Sequence, residues 1–267
     1  MSKGVLLFAF NTEQVNYYDM AVATSKRVNH FLNLPVTLVT DEWSVPKNPT
    51  YTFDNTIITT ADKTNKKNSQ VWINKGRFQA FEYTPYDETL LLDTDYLINS
   101  NALLKTFTMY DDFCCHDTTS WLMRPDMIQE TIGIANIKTL WATVVAFRKT
   151  NRTKQIFECL EMVQKKYEHY TDLHSIVSGS YRNDYGLTLA LDIANGHTKN
   201  LQDIIPWNLV HTNDQVRVYK NNDTEFNTEY TVMSEVTKRG KTRTEYIALK
   251  DTDFHMLDKG NFMELVK

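Results

Sequence analysis

Leu90-Leu91-Leu92-Asp93-Thr94-Asp95-Tyr96-Leu97-Ile98 decides how the rest of the chain is read. Three leucines run into two carboxylates one residue apart, and an apolar run resumes at once. An apolar run of this length bounded by polar residues reads as a strand buried on both faces. Ionised carboxylates are costly to desolvate without a partner. A buried strand that ends on two of them therefore implies something positive at that end. Asp93 and Asp95 flank a single residue and can turn toward one point, which suits a hard divalent cation carrying phosphates. The competing reading is a polar strand end followed by an ordinary turn, and the triplet alone does not separate the two.

The surroundings favour an α/β fold. Val5 to Phe10 is an apolar run and reads as a first buried strand. Glu13 to Leu32 then carries Tyr17, Ala21, Val28 and Phe31 at helical spacing, with Thr12 as the expected N-cap. Leu34 to Asp41 is a second strand, so the sheet starts as a parallel βαβ unit. Tyr51 to Thr60 supplies a short third strand. Lys63 to Asn68 is basic and aperiodic and reads as a loop. Val71 to Tyr83 reads as a helix with Trp72, Phe78 and Phe81 inward and Lys75 and Arg77 in its first half. After the central strand come a short helix at Ala102 to Phe107 and strands at Asp112 to His116 and Ala142 to Phe147. A helix over Asn151 to Tyr170 follows, then another that opens at Asn183-Asp184-Tyr185-Gly186 and closes at Gly196. Beyond Pro206-Trp207-Asn208 the chain turns β-rich, and Glu229 to Val236 and Arg243 to Leu249 flank Lys238-Arg239-Gly240-Lys241, a hairpin signal.

Composition narrows the class. Hydrophobic residues at 42% and charged residues at 23% are ordinary for a globular protein, and the net charge of −4 argues against a generally basic nucleic-acid coat. Cys114, Cys115 and Cys159 are too few and too badly spaced for a disulfide framework or a zinc site. No secretory signal and no run of membrane-spanning length is visible. The expectation is a protein of the cytoplasm with no membrane partner. Gly-x-Gly-x-x-Gly is absent, and so is a Walker-type lysine loop. The βαβ order puts Asp93 and Asp95 at the carboxyl end of a central strand, where open α/β sheets bind ligands.

On these residues the chain resembles the GT-A-fold glycosyltransferases of the glycogenin-like, retaining kind. More closely it resembles uncharacterised glycosyltransferases of tailed phages. The resemblance covers most of Val5 to Lys259 and is strongest from Asn74-Lys75-Gly76-Arg77 through Pro85-Tyr86-Asp87-Glu88 to Asp95. It implies one GT-A domain over 1–267, Rossmann-like, with a mostly parallel central sheet flanked by helices and a C-terminal β-hairpin. Residues 1–100 would form the nucleotide-binding half, and 101–267 the acceptor side, with a β-rich segment at 215–250. It also implies sugar transfer from a nucleotide-diphosphate sugar, a UDP-sugar by analogy, with Mn²⁺ or Mg²⁺ on Asp93, Asp95 and His255. Lys259 would meet the diphosphate, although the His255 to Lys259 spacing is shorter than in glycogenin-like enzymes. Lys75 or Arg77 would face phosphate, and Asn11, Thr12, Tyr17 and Thr94 would receive the nucleotide. Asp184 and Asn183 would sit by the transferred sugar, with Trp207 and Asn208 shaping its pocket.

The family's Asn-Ser-Gly before a core strand is here Trp141-Ala142-Thr143, so donor-sugar recognition departs from glycogenin's. The phage likeness further implies a hydroxylated or hydroxymethylated pyrimidine in DNA as acceptor, contacted through Lys238, Arg239, Lys241 and Arg243 and through the Lys63, Lys66, Lys67 loop, in a host-cell cytoplasm. Short charge runs of this kind are more often solvated turns. Protein or polysaccharide acceptors, a lectin-like binding protein and a metal-dependent nucleotidyltransferase are the competing readings.

Overall fold

The three leucines do form the middle of the molecule. The computed structural model describes residues 1–67, 70–123, 131–177, 180–198, 202–238 and 241–267. In it Glu88–Leu92 is a strand with all five residues buried. Lys3–Phe8 pairs with it in parallel, with Val5 opposite Leu90 and Leu7 opposite Leu92. On its other side Trp141–Arg148 pairs antiparallel, with Val145 opposite Leu91. Successive side chains of a strand point to opposite faces, so the leucines serve two cores. Leu90 and Leu92 join Val5, Leu7, Val36 and Leu38 beneath the helix Tyr17–Leu32. Leu91 joins Leu6, Val145 and Phe147 beneath the helices Asn151–Lys165 and Asn183–Ala194.

Among the described residues the central sheet has seven strands, ordered Asp203–Ile204, Phe113–His116, Trp141–Arg148, Glu88–Leu92, Lys3–Phe8, Val36–Thr40, Asn55–Ile58. Every neighbouring pair is parallel except the two made by Trp141–Arg148. This is the mixed α/β architecture, with a mostly parallel sheet between helices, that the strand order implied. The reversed strand delivers its start, Trp141-Ala142-Thr143, to the edge where the central strand delivers its end.

Several boundaries differ from the sequence reading. The first helix begins at Tyr17, not Glu13, and its cap is Asn16, whose side chain accepts from the Asp19 amide at 3.1 Å. Thr12 closes the preceding turn instead, accepting from the Val15 amide. The expected helix over Val71 to Tyr83 is a 3₁₀ segment, Lys75–Gln79, and one α-turn, Ala80–Tyr83. Its first residues are drawn into extended pairing, because Gln70–Val71 pairs with Lys66–Lys67 and the Trp72 amide donates to the Asn65 carbonyl. That pairing also makes a strand of part of the expected Lys63 to Asn68 loop. The long helix after Asn151 breaks at Lys166, and Tyr167–Leu173 continues as a separate helix.

Of the four smaller sheets among the described residues, two have more than two strands. One joins Tyr96–Leu97, Phe254–Met256, Leu209–Thr212 and Thr119–Trp121 in that order. The other adds Val216–Lys220 to the expected hairpin, which runs Glu229–Lys238 and Lys241–Lys250. A last helix, Lys259–Val266, was not read from the sequence; Asp258 caps it, accepting from the Asn261 amide at 2.9 Å. Arg27, buried on the first helix, ties these parts together. It donates to the Ile98 carbonyl at 2.6 Å and to the Asn227 carbonyl at 2.7 Å.

Gly4 packs where the first strand passes Tyr86, and a Cβ there would fall on the Tyr86 ring. That ring is buried and its hydroxyl accepts from Thr37 at 2.9 Å, so it is not free to swing away. Gly4→Ala is expected to cost about 1–3 kcal/mol, the usual penalty of overpacking, measured by denaturant unfolding against wild type.

Candidate active site

The central strand ends in a tight turn. The Asp93 amide donates to the Thr143 carbonyl at 3.0 Å, and the Tyr96 amide donates back to the Asp93 carbonyl at 3.2 Å. The turn sends both carboxylates into one cavity of about 580 Å³. Each acid meets positive charge there. Arg77, buried, places its guanidinium 2.6 Å from Asp93 Oδ1 and donates to the Ala142 carbonyl at 2.5 Å. His255 Nε2 lies 3.2 Å from Asp95 Oδ2, and the Lys259 ammonium contacts the same oxygen while donating to the Met256 carbonyl at 3.1 Å.

These contacts set the charges. Burial by itself would raise Asp95, but Lys259 and His255 outweigh it and hold the carboxyl well below the usual carboxylate range. Burial likewise opposes the charge on Lys259, and Asp95 overrides it, raising the ammonium's pKa. Asp93 behaves differently: burial raises it, Arg77 opposes the rise, and the Asp95 charge adds to it. Asp95 is thus the firmly ionised member of the pair.

Asp93, Asp95 and His255 each offer one ligand atom, and these atoms lie within 4.8 Å of one another. An ion with bonds of about 2.1 Å separates its own ligand atoms by at most about 4.2 Å, so the three need close by less than about 1 Å to share one. Two carboxylate oxygens and an imidazole nitrogen suit a hard to borderline divalent ion. The donor set fits the cation that the sequence resemblance implies.

The rest of the cavity is built around that point. Tyr17 lines it from the first helix, with its pKa raised mainly by burial. Thr94 lines it between the two acids, its carbonyl fixed by the Thr24 hydroxyl at 2.7 Å. Asn183 and Asp184 line it from the start of their helix. Asp184 Oδ1 accepts from the Ala142 amide at 2.9 Å, and its other oxygen lies 3.6 Å from Arg182. An acid in the first turn also suits the positive end of the helix dipole. The Asn183 side-chain oxygen is enclosed with no protein partner.

Other expected residues stand elsewhere. Asn11 is tied into the protein: its side-chain oxygen accepts from the Tyr18 amide at 2.9 Å, and its amide group donates to the Ser44 carbonyl. Thr12 holds its turn. Lys75 swings away and donates to the Thr64 hydroxyl at 2.7 Å, so that of these two basic residues Arg77 is the one that meets Asp93. Asn11, Thr12 and Lys75 therefore do not line the cavity. Trp207 and Asn208 do not line it either. Trp207 packs against the core, and its carbonyl faces His116 Nδ1 at 2.9 Å.

His211, Trp121 and Trp72 line the cavity and were not read as site residues; Trp141 lines it too. A lone histidine in Leu-Val-His-Thr and tryptophans scattered over seventy residues carry no local pattern. Only the pairing of distant strands brings them together.

Of the two basic clusters, Lys63 lies over the Trp43 ring at 5.1 Å, and Lys66 is exposed. Arg243 on the hairpin pairs with Glu245, and Lys250 with Glu229 at 2.8 Å. Arg239 and the side chains of Lys67, Lys238 and Lys241 lie outside what is described. Among the described residues no helix is long and apolar enough to cross a membrane.

Neither a family model nor a curated protein matches the chain. Among solved structures, the chain is similar to the glycosyltransferase GlyE of Streptococcus pneumoniae TIGR4, at 13% identity and a TM-score of 0.42 over 77% of this chain. It spans only 46% of that protein. It is also similar to the galactosyltransferase LgtC, solved with donor and acceptor sugar analogs, at 14% identity and a TM-score of 0.47 over 70% of each chain. Mouse xyloside xylosyltransferase 1 in its apo form aligns at 9% identity and a TM-score of 0.44, over 73% of this chain and 83% of that one.

His116, behind the site, is fully buried, and burial pushes its imidazole down to about 4. The unfolded chain takes up that proton near pH 6.5, so stability is expected to fall as pH drops from about 6.5 to about 4. The size of the loss is about 3 kcal/mol. In His116→Asn, whose amide can still donate to the Trp207 carbonyl, unfolding free energy measured across that window should flatten.

Proposed function

We propose that the protein is a glycosyltransferase that moves a sugar from a nucleotide-diphosphate sugar, a UDP-sugar, to an acceptor hydroxyl, with Mn²⁺ or Mg²⁺ held by Asp93, Asp95 and His255. The observation that carries this reading is the meeting of a half-buried and a buried acid just past the central strand with a histidine and a lysine more than 150 residues away in sequence, in a cavity of nucleotide-sugar size. A bound divalent cation supplies charge neutralisation for a departing diphosphate.

The chain's own residues do the rest. Arg77 and Lys259 bring fixed positive charge to the same wall, and preorganised charge of this kind acts without reorganising as the leaving group forms. Tyr17 offers a ring face to the base. Asp184, held by the Ala142 amide, would stabilise an oxocarbenium-like sugar by its charge, with Asn183 beside it on the cavity wall. In the step proposed, the bond from the anomeric carbon to the diphosphate breaks and its electron pair stays on the phosphate oxygen. The acceptor oxygen bonds to the same face of that carbon and gives its proton to the departing phosphate. This same-face course retains configuration and calls for no covalent nucleophile.

A modified pyrimidine in DNA follows only from the phage likeness. The described cations of the hairpin, Arg243 and Lys250, are already matched by glutamates and add no support to it.

Incubation with UDP-sugars and Mn²⁺ should release UDP, and Asp95→Asn should cut the rate by at least about 10²-fold. Absence of metal-dependent UDP binding together with absence of turnover on any donor would sink the proposal, and release of pyrophosphate in place of UDP would move it to nucleotidyl transfer. Asp184→Asn keeps an oxygen for the Ala142 amide. It should lower kcat by about 10–10²-fold with little change in KM for the donor.

A further inference from the structure

His211 stands at the site without a role in the reaction as proposed. Strand register puts it there: across the four-stranded sheet, Tyr96 pairs with His255, His255 with His211, and His211 with Trp121. Residues paired across adjacent strands project to the same face, so the two histidines stand side by side. Their Nδ1 atoms are 2.9 Å apart. The His211 ring is buried and packs against Trp121 at 4.7 Å between centroids and Trp141 at 4.8 Å, which fixes its orientation.

Two nitrogens at that distance cannot both carry hydrogens toward each other. His255 turns its Nε2 to Asp95 and the candidate cation. A ligating Nε2 needs its lone pair, so the ring's hydrogen must sit on Nδ1. The atom facing that hydrogen is His211 Nδ1, which must then be the acceptor, with the His211 hydrogen on Nε2. In the opposite arrangement His211 donates, the His255 hydrogen moves to Nε2, and the ligand lone pair is lost.

We propose that His211 is a positioning residue that accepts the Nδ1 hydrogen of His255 and so holds His255 in the tautomer able to ligate a divalent cation. Ligating histidines commonly give their second N–H to a fixed acceptor; here the acceptor is another imidazole. This inference rests on the cation reading above.

The test is Mn²⁺ binding followed by the electron paramagnetic resonance of the free ion, with UDP present, in wild type, His211→Leu and His211→Asn. Asparagine carries its amide oxygen where the imidazole carries Nδ1. His211→Leu should weaken Mn²⁺ binding about 10–100-fold, and His211→Asn should recover most of that loss. Equal weakening in both variants, or none in either, overturns the role of His211. A wild type that binds no Mn²⁺ overturns the cation reading and this one with it. Should His211→Leu not fold, ¹⁵N-histidine spectra of wild type with Mg²⁺ and UDP decide the matter. Hydrogens on Nδ1 of His255 and Nε2 of His211 support the proposal, and the reverse pattern overturns it.

Discussion

A carboxylate buried at the end of the central strand is the constraint on which the rest of this structure depends. The Asp95 side chain is only 8% exposed, and it is ionised. Taking such a group out of water costs several kcal/mol even after relaxation. Attraction to one cation at contact distance returns about 4 kcal/mol at the effective dielectric of a partly buried site. One partner thus barely offsets the cost, and the fold sets the Lys259 ammonium and the His255 imidazole against Asp95 and the Arg77 guanidinium against Asp93. Removing a single partner from such a group typically costs 3–5 kcal/mol, because the charge left behind stays buried.

The reversed strand is the other half of the arrangement. Were Trp141–Arg148 parallel to its neighbours, its start would lie at the opposite edge of the sheet. Running antiparallel, it brings Ala142 and Thr143 to the acids, where three of their backbone groups hold site residues. The Thr143 carbonyl holds the Asp93 amide, the Ala142 carbonyl holds Arg77, and the Ala142 amide holds Asp184. Side-chain identity at these positions is almost immaterial to that task. The chain can therefore carry alanine and threonine there and still fix three polar residues by main-chain contacts alone.

The sequence made the sheet legible where physical signals were local. Leu90 to Leu92, Val5 to Phe8 and Ala142 to Phe147 are short apolar runs that can only be buried, and all three are central strands. The hairpin was legible from its turn, and Gly196, at φ +68°, marks the end of its helix as expected. Competition among equally competent residues was not legible. Thr12 and Asn16 can both cap a helix, and tertiary placement of the first loop selects Asn16. Lys75 and Arg77 are both basic, and only Arg77 is on the side of the turn that meets Asp93. His255 was found through a family likeness. His211 could not be found at all, because its meaning lies in a strand register between segments more than forty residues apart.

The four-stranded sheet that carries His255 draws its strands from residues 96–97, 119–121, 209–212 and 254–256. A ribosome releases these pieces in that order, and the partners of Asp95 come last. Until residues 255–259 are made, the central strand thus carries a terminal acid without these partners, and the strand can dock only by leaving that end in water. The seven-stranded sheet can pair from residue 204 onward, whereas the cavity floor waits for His255 and Lys259. The seven-stranded scaffold can therefore assemble before the counter-charges of Asp95, which come only with residues 255–259, are available.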